Sequence, residues 1–188
     1  DFNRIGLSGV HDGNLESLLA LIAAQPNNGS STNSVKKLQT LVGSMYSAAL
    51  QVIENYVTGQ AESPQLKDYA VLGLTEVTSE NLNAINSAIK AQGSVDAIDS
   101  TSKVQAVVTT YNTLLQEVST GPASDGVNLT AAQYDLIGAN IGNAASPDHP
   151  NNLTLLNDLL GAQSAQSAQT IAEVNALATI ANAIQQIA

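Results

Sequence analysis

Cysteine is absent from the chain, and with it go a disulfide framework, a thiolate metal site and a cysteine nucleophile. Tryptophan is absent too, and Phe2 stands alone beside five tyrosines, so any core is aliphatic. Small aliphatic side chains let helices approach closely, which suits small helical bundles. Positive charge is scarce. Six basic residues face sixteen acidic ones, for a net charge of −10, and the only basic neighbours are Lys36 and Lys37. Such a surface gives a phosphate backbone nothing to hold, so no nucleic-acid partner is expected. The longest apolar runs, such as Leu18 to Ala24, stop far short of the roughly 20 residues that span a bilayer, and no membrane insertion is expected. Met45 is the one methionine and no signal peptide is visible, so the sequence reads as a piece of something longer.

What the chain does have is hydrophobic content of 44%, enough to exclude disorder, and a repeat. Phe2, Ile5, Gly6, Leu7, Val10, Asn14, Leu15, Leu18 and Ile22 line up with Tyr69, Leu72, Gly73, Leu74, Val77, Asn81, Leu82, Ile85 and Ile89 at a constant offset of 67. A third copy carries Tyr134, Ile137, Gly138, Ala139 and Ile141, then an insertion around NAASPDHP, then Asn152, Leu153, Leu156 and Leu160. A second block follows in each: KLQTLV from Lys37, KVQAVV from Lys103 and EVNALA from Glu173. Self-similarity at this period marks an array of modules. Between the KLQ and Thr-Gly landmarks the first copy is four residues longer than the second, one helical turn, which keeps an apolar face in register.

Within each copy the apolar spacing is helical. Leu15, Leu18, Leu19 and Ile22 fall at i, i+3, i+4 and i+7. Ser63 before Pro64, and Thr130 with Gln133, read as caps that open a short helix A. Gly6, Gly73 and Gly138 stand where helix A should stop, at a position that favours a left-handed backbone. Helix B is expected to begin before Asn14, Asn81 and Asn152, with Thr78 or Pro150 in its first turn, and a long helix C to end at Thr58-Gly59 and Thr120-Gly121. The expected fold is therefore all-α: three tandem three-helix bundles over residues 1–60, 61–127 and 128–188. Asp1 aligns with Asp68, so helix A of the first module lacks counterparts of Ser63 to Lys67 and is expected to be truncated.

Chemistry is sparse. The two histidines, His11 and His149, lie in the turn between helices A and B, where a capping role outweighs a metal site that would need further ligands. Asp96, Asp99 and the stretch SDGVN from Ser124 to Asn128 hold fragments of a calcium loop without its ladder of acids. The carboxylates do not converge, and no catalytic, metal or cofactor-binding residue is assigned. Asn28, Asn128 and Asn152 fit the glycosylation pattern in a chain rich in Asn, Ser and Thr, and take no role here. The recurring Phe2, Tyr69 and Tyr134, with Asn14, Asn81 and Asn152, are assigned structural roles: a ring closing the bundle and an amide binding free backbone groups.

The stretch LKDYAVLGLTEVTSENLNAINSAI, with Asn83-Ala84-Ile85-Asn86 inside it, and the EVNAL of Glu173 to Leu177 resemble the albumin-binding GA module, a three-helix bundle of bacterial surface proteins. They resemble still more the GA-like modules repeated in large secreted adhesins of the RTX type. The resemblance implies a non-catalytic spacer at the bacterial cell surface or outside the cell. It also implies a monomer flanked by further modules of the same polypeptide, or a module that binds a host protein. The positions matching the albumin binders' exposed aromatics hold Glu80 and Asn81.

Overall fold

The computed structural model describes residues 2–120 and 128–187, and among them every regular element is helical. The α-helices are α1 (Asp12–Ala23), α2 (Val35–Val57), α3 (Leu66–Val71), α4 (Leu82–Ala91), α5 (Thr101–Thr120), α6 (Ala131–Leu136), α7 (Pro150–Gly161) and α8 (Ile171–Ile187). Four 3-10 turns accompany them, at Phe2–Ile5, Val95–Ala97, Gly142–Ala145 and Ala165–Ala168. The protein is all-α. No helix among the described residues is long and apolar enough to cross a membrane.

The helices gather into two compact units, Asp1–Thr78 and Ser79–Ala188, a coarser division than three modules. In unit 1, α1, α2 and α3 pack against one another. Helix α2 presents Val42, Met45, Ala49, Ile53 and Val57 as one buried stripe, the helical repeat of apolar positions that a packed helix needs. Against it stand Leu18 of α1 and Tyr69 of α3, both fully buried. With six residues, α3 is too short to be stable alone, so its existence rests on that buried ring and on its two ends.

In unit 2, α5 is the central helix, packed against α4, α6, α7 and the Ala165–Ala168 turn, while α7 and α8 pair with each other. Val104, Val107, Val108, Tyr111, Leu114 and Val118 are its buried apolar side chains. Ile85 and Ile89 of α4, Tyr134 of α6, Leu156 and Leu160 of α7 and Val174 of α8 complete the core.

Three expectations need correction. Ser63 does not open α3: the N-cap is Gln65, because the Asp68 carboxylate reaches back to accept from the Gln65 amide at 2.8 Å, fixing the start two residues later. Residues 2–5 form a 3-10 turn instead of the end of an α-helix. Helix α4 starts at Leu82 with Asn81 as its N-cap, residues 79–81 being a turn, so Thr78 lies outside its first turn. The part of SDGVN from Ser124 to Val127 lies outside the described residues.

Candidate functional site

The recurring positions converge on the turn that leaves a helix A, and the geometry there is the same each time. Gly6, Gly73 and Gly138 have φ of +83°, +80° and +77°, a region where an L side chain is strained. After Tyr69 and Tyr134 this reversal lets Leu74 N–H donate to the Tyr69 carbonyl (3.0 Å) and Ala139 N–H to the Tyr134 carbonyl (2.9 Å). Gly73 and Gly138 donate to Ala70 and Asp135, which completes two Schellman ends. Leu7 N–H likewise donates to the Phe2 carbonyl at 3.1 Å.

Downstream of Gly6 and Gly138, the chain is pinned to a long helix by side chains at matched positions. Two residues past the glycine, Ser8 N–H donates to Gln39 Oε1 (3.0 Å) and Asn140 N–H to Asn175 Oδ1 (2.8 Å). Three residues past it, the Gly9 carbonyl accepts from Tyr46 Oη (3.0 Å) and the Ile141 carbonyl from Asn182 Nδ2 (3.0 Å). The same helix residue then meets the asparagine at the start of the next helix. Asn14 Nδ2 donates to Tyr46 Oη at 3.3 Å, Asn81 Nδ2 to Asn112 Oδ1 at 2.8 Å, and Asn152 Nδ2 to Asn182 Oδ1 at 3.1 Å. Tyr46, Asn112 and Asn182 each stand nine residues after Lys37, Lys103 and Glu173. Asn14 is wholly buried; its Oδ1 also accepts from His11 N–H (3.0 Å) and its Nδ2 donates to the Gly9 carbonyl (2.9 Å). Buried amides of this kind are held by completing their hydrogen bonds, and here the partners are mostly backbone.

Two further sets were not read from the sequence. Gln25, Gln92 and Gln163 each reach back one turn, Nε2 donating to the carbonyls of Leu21 (3.0 Å), Ala88 (3.1 Å) and Leu159 (2.9 Å). They follow the offsets of 67 and 71 that relate Asn14, Asn81 and Asn152, and that was the available signal. Ser34, Ser100 and Thr170 accept from the amides of Lys37, Lys103 and Glu173 at 3.3, 3.4 and 3.3 Å, opening α2, α5 and α8. Lys37 and Lys103 then bend back onto the carbonyls seven residues earlier, Ser30 and Asp96.

The candidate chemical groups do not assemble. His11 is the N-cap of α1, its Nε2 2.8 Å from Asn14 Nδ2, and His149 holds the same place before α7. Asp99 pairs with Lys103 one turn away at 2.9 Å, and Asp96 uses its backbone carbonyl on that same lysine. Among the described residues no three His, Asp or Glu side chains are grouped as a metal would require. One open cleft of about 540 Å³ in unit 2 is lined by Ala91, Gln92, Gly138 and Asn140, with Asp135 its carboxylate. A second, of about 450 Å³ in unit 1, is mostly apolar, between Ala20, Leu21, Met45 and Val52, with Lys67 and Asp68 at its side.

Tyr69, Tyr111 and Tyr134 are core groups. Tyr134 Oη donates to Asn157 Oδ1 at 2.7 Å, and Asn157 Nδ2 donates to the Leu129 carbonyl at 3.0 Å, all inside unit 2. Burial pushes the Tyr134 phenol well above its ordinary range, and the carboxylate of the fully buried Glu117 adds to the shift. Tyr69 is raised chiefly by burial as well, then by Tyr56 and Asp68, and Tyr111 by burial and then Glu173. Compared with known proteins, the chain matches no family model, no curated protein and no solved structure.

Proposed function

We propose that the chain is a non-catalytic extender segment of a large bacterial cell-surface or secreted adhesin, built as a tandem of GA-like three-helix modules whose work is mechanical spacing. The observation that carries this reading is where the matched side chains spend their hydrogen bonds. Asn14, Asn81 and Asn152, their helix partners, the glutamines and the helix caps all bind the protein itself, mostly its backbone. Selection for a series of similar rigid beads leaves recurring caps and core positions behind, whereas a repeated binding or catalytic role leaves recurring solvent-facing chemistry. A net charge of −10 keeps such a segment dispersed. Small-angle scattering on the dilute chain tests the proposal: an elongated particle is expected, and a compact globe would defeat it.

A second reading, binding of a host protein, draws on the apolar cleft of unit 1, which Ala20 and Leu21 of α1 line together with Met45, Ala49 and Val52 of α2. It requires the chain to retain a serum protein above background when immobilised. Replacing Leu21 and Val52, which line the cleft, with Asp should then abolish retention, and an empty pull-down with the native chain removes this reading.

A further inference from the structure

The loop between α1 and α2 holds the one Asn-Gly pair of the chain, Asn28-Gly29, in unit 1. A glycine after asparagine leaves the following amide nitrogen unshielded by any side chain. Here the local conformation also brings the two groups together. Asn28 Oδ1 accepts from Ser30 N–H at 2.9 Å, a side-chain turn that folds the carboxamide over the Gly29 peptide. Gly29 has φ of +71°, and a carbon added to it would meet nothing within 4 Å, so the turn is open on that side. Asn28 and Ser30 are both exposed. The ends of the turn are held: Asn28 N–H donates to the Pro26 carbonyl (2.8 Å), and the Gly29 carbonyl accepts from Thr32 N–H (3.1 Å). Among the described residues, however, Gly29 N–H has no acceptor and Asn28 Nδ2 no partner.

Similar pairs elsewhere lack this arrangement. Gln92-Gly93, after α4, would need the larger glutarimide ring, and Gln92 Nε2 is tied to the Ala88 and Leu136 carbonyls, both at 3.1 Å. Gly93 N–H is itself spent on the Lys90 carbonyl. Asp12-Gly13 lies in the first turn of α1, where a carbon on Gly13 would stand 2.8 Å from the Ala70 carbonyl oxygen, so that peptide has no room to turn. Asn33 precedes Ser34, whose Cβ shields the nitrogen, and Asn33 Oδ1 is held by Lys37 Nζ at 2.9 Å.

We propose that Asn28 is a site of spontaneous deamidation, closed through a succinimide by the backbone nitrogen of Gly29. Gly29 N gives its proton to hydroxide and attacks Asn28 Cγ. The N–Cγ bond forms, and an electron pair of the Cγ–Oδ1 double bond moves onto Oδ1, where Ser30 N–H meets the developing negative charge. That pair returns, the Cγ–Nδ2 bond breaks, and Nδ2 takes a proton from water and leaves as ammonia. Water then opens the ring at either carbonyl. Cleavage at Cγ gives aspartate; cleavage at the main-chain carbonyl carbon gives isoaspartate, with the backbone rerouted through Cβ and Cγ. Either product adds one carboxylate to a chain of net charge −10, on a loop whose nearby cation, Lys37, already binds the Ser30 carbonyl and Asn33. The change is one-way, and it stands independently of the extender reading.

Incubating the full chain warm, at neutral and at mildly alkaline pH, followed by peptide mapping with mass spectrometry, tests it. A gain of about one dalton is expected first in the peptide that holds Asn28, faster at the higher pH, with aspartate and isoaspartate forms separable by chromatography. Gly29→Ala should slow the conversion about tenfold or more, since the methyl group shields the nitrogen and strains the left-handed turn. Asn28→Gln should stay unmodified over the same interval. Both sites are in a loop, and unchanged helicity by circular dichroism checks that each variant folds. Because the turn aligns the groups, the folded chain should convert at least as fast as the same chain unfolded in guanidinium. A folded chain that converts more slowly than the unfolded one overturns the proposal. So does aspartate formed without isoaspartate, which would mean direct attack by water, or a Gly29→Ala variant that converts like the native chain.

Discussion

Unit 1 pins its turn with a tyrosine and unit 2 with an asparagine, and the two do the same work. Tyr46 and Asn182 both donate to the carbonyl three residues past a glycine, and both meet the asparagine that starts the next helix. A phenol and an amide share little except a polar group that can donate and accept at the end of an apolar or short stem. The position on the helix therefore matters more than the residue type, because a backbone carbonyl fixed by the left-handed glycine needs a donor at one place. The cores differ more. Of the largest fully buried side chains, Leu7, Leu18, Ile53 and Tyr69 belong to unit 1, whereas unit 2 holds Tyr111, Tyr134, Ile85, Ile89, Ile98, Leu114, Leu129 and Ile137. Unit 1 has fewer such anchors for its length, and each one carries more of its stability.

Removing the ring of a helix A should separate the units most sharply. Tyr69→Ala and Tyr134→Ala each delete a fully buried ring, a loss of about 3–5 kcal/mol. A domain of unit 1's length has roughly 4–12 kcal/mol in total, so Tyr69→Ala should leave unit 1 largely unfolded at 37 °C while unit 2 survives Tyr134→Ala. Proton-exchange protection of α2 against that of α5 reads this out. Equal protection in the two variants would mean that core size does not set the difference.

Glycine substitutions sharpen the comparison at the turns. An alanine at Gly6 would meet no atom within 4 Å, so Gly6→Ala should cost about 1–2 kcal/mol for its left-handed backbone alone. At Gly138 the added carbon would stand 2.8 Å from Ala91 Cβ and 3.0 Å from the Ala91 carbonyl carbon, contacts that only a shift of α4 can relieve. Overpacking adds about 1–3 kcal/mol, so Gly138→Ala should be about 2–5 kcal/mol less stable than the native chain. Chemical denaturation that found the two variants equal would rule out the close approach of α4 to this turn.

Alkaline pH acts on the tyrosines with a definite sign. Burial raises Tyr111 and Tyr134 in the folded state, so their contribution is complete below the unfolded phenol value of about 10 and is lost as pH rises above it. Each such group steepens the fall of stability by about 1.4 kcal/mol per pH unit. Tyr134→Phe should remove one group's share of that slope in unit 2 between about pH 10 and 11.5, and urea melts across that range measure it. The variant also loses the bond to Asn157 at every pH, a constant offset that leaves the slope unaffected.

The all-α class was legible because apolar spacing reports directly which side of a helix meets a core. Glycine as a stop signal was legible for a related reason: few other residues tolerate φ near +80°. What the sequence concealed were partners without periodicity. Only their place nine residues after Lys37, Lys103 and Glu173 marks Tyr46, Asn112 and Asn182 as equivalent, since one is aromatic and two are amides. The start of α3 was misread because Ser-Pro is a strong local signal, yet the Asp68 carboxylate binding the Gln65 amide outcompetes it.

The smallest expected effects concern the starts of the long helices. Ser34 in unit 1 and Ser100 in unit 2 cap α2 and α5 through rather long, exposed bonds of 3.3 and 3.4 Å. Alanine at either site should cost about 0.5–1 kcal/mol, the low end for an N-cap, because water can take over the freed amide. Thr170 differs. Its hydroxyl accepts from Glu173 N–H at 3.3 Å and donates to Glu173 Oε2 at 3.0 Å, in a part-buried setting, where Ser34 and Ser100 are followed three residues on by lysines that bind upstream carbonyls instead. Thr170→Ala therefore breaks two bonds and strands a carboxylate against the start of α8, and should cost about 1–2 kcal/mol. All three variants should shift the urea midpoint without changing the denaturant slope, since none exposes new surface in the native state. If Thr170→Ala proved no worse than Ser34→Ala, then the glutamate would be contributing nothing at this cap, and the lysine and glutamate versions would be energetically interchangeable.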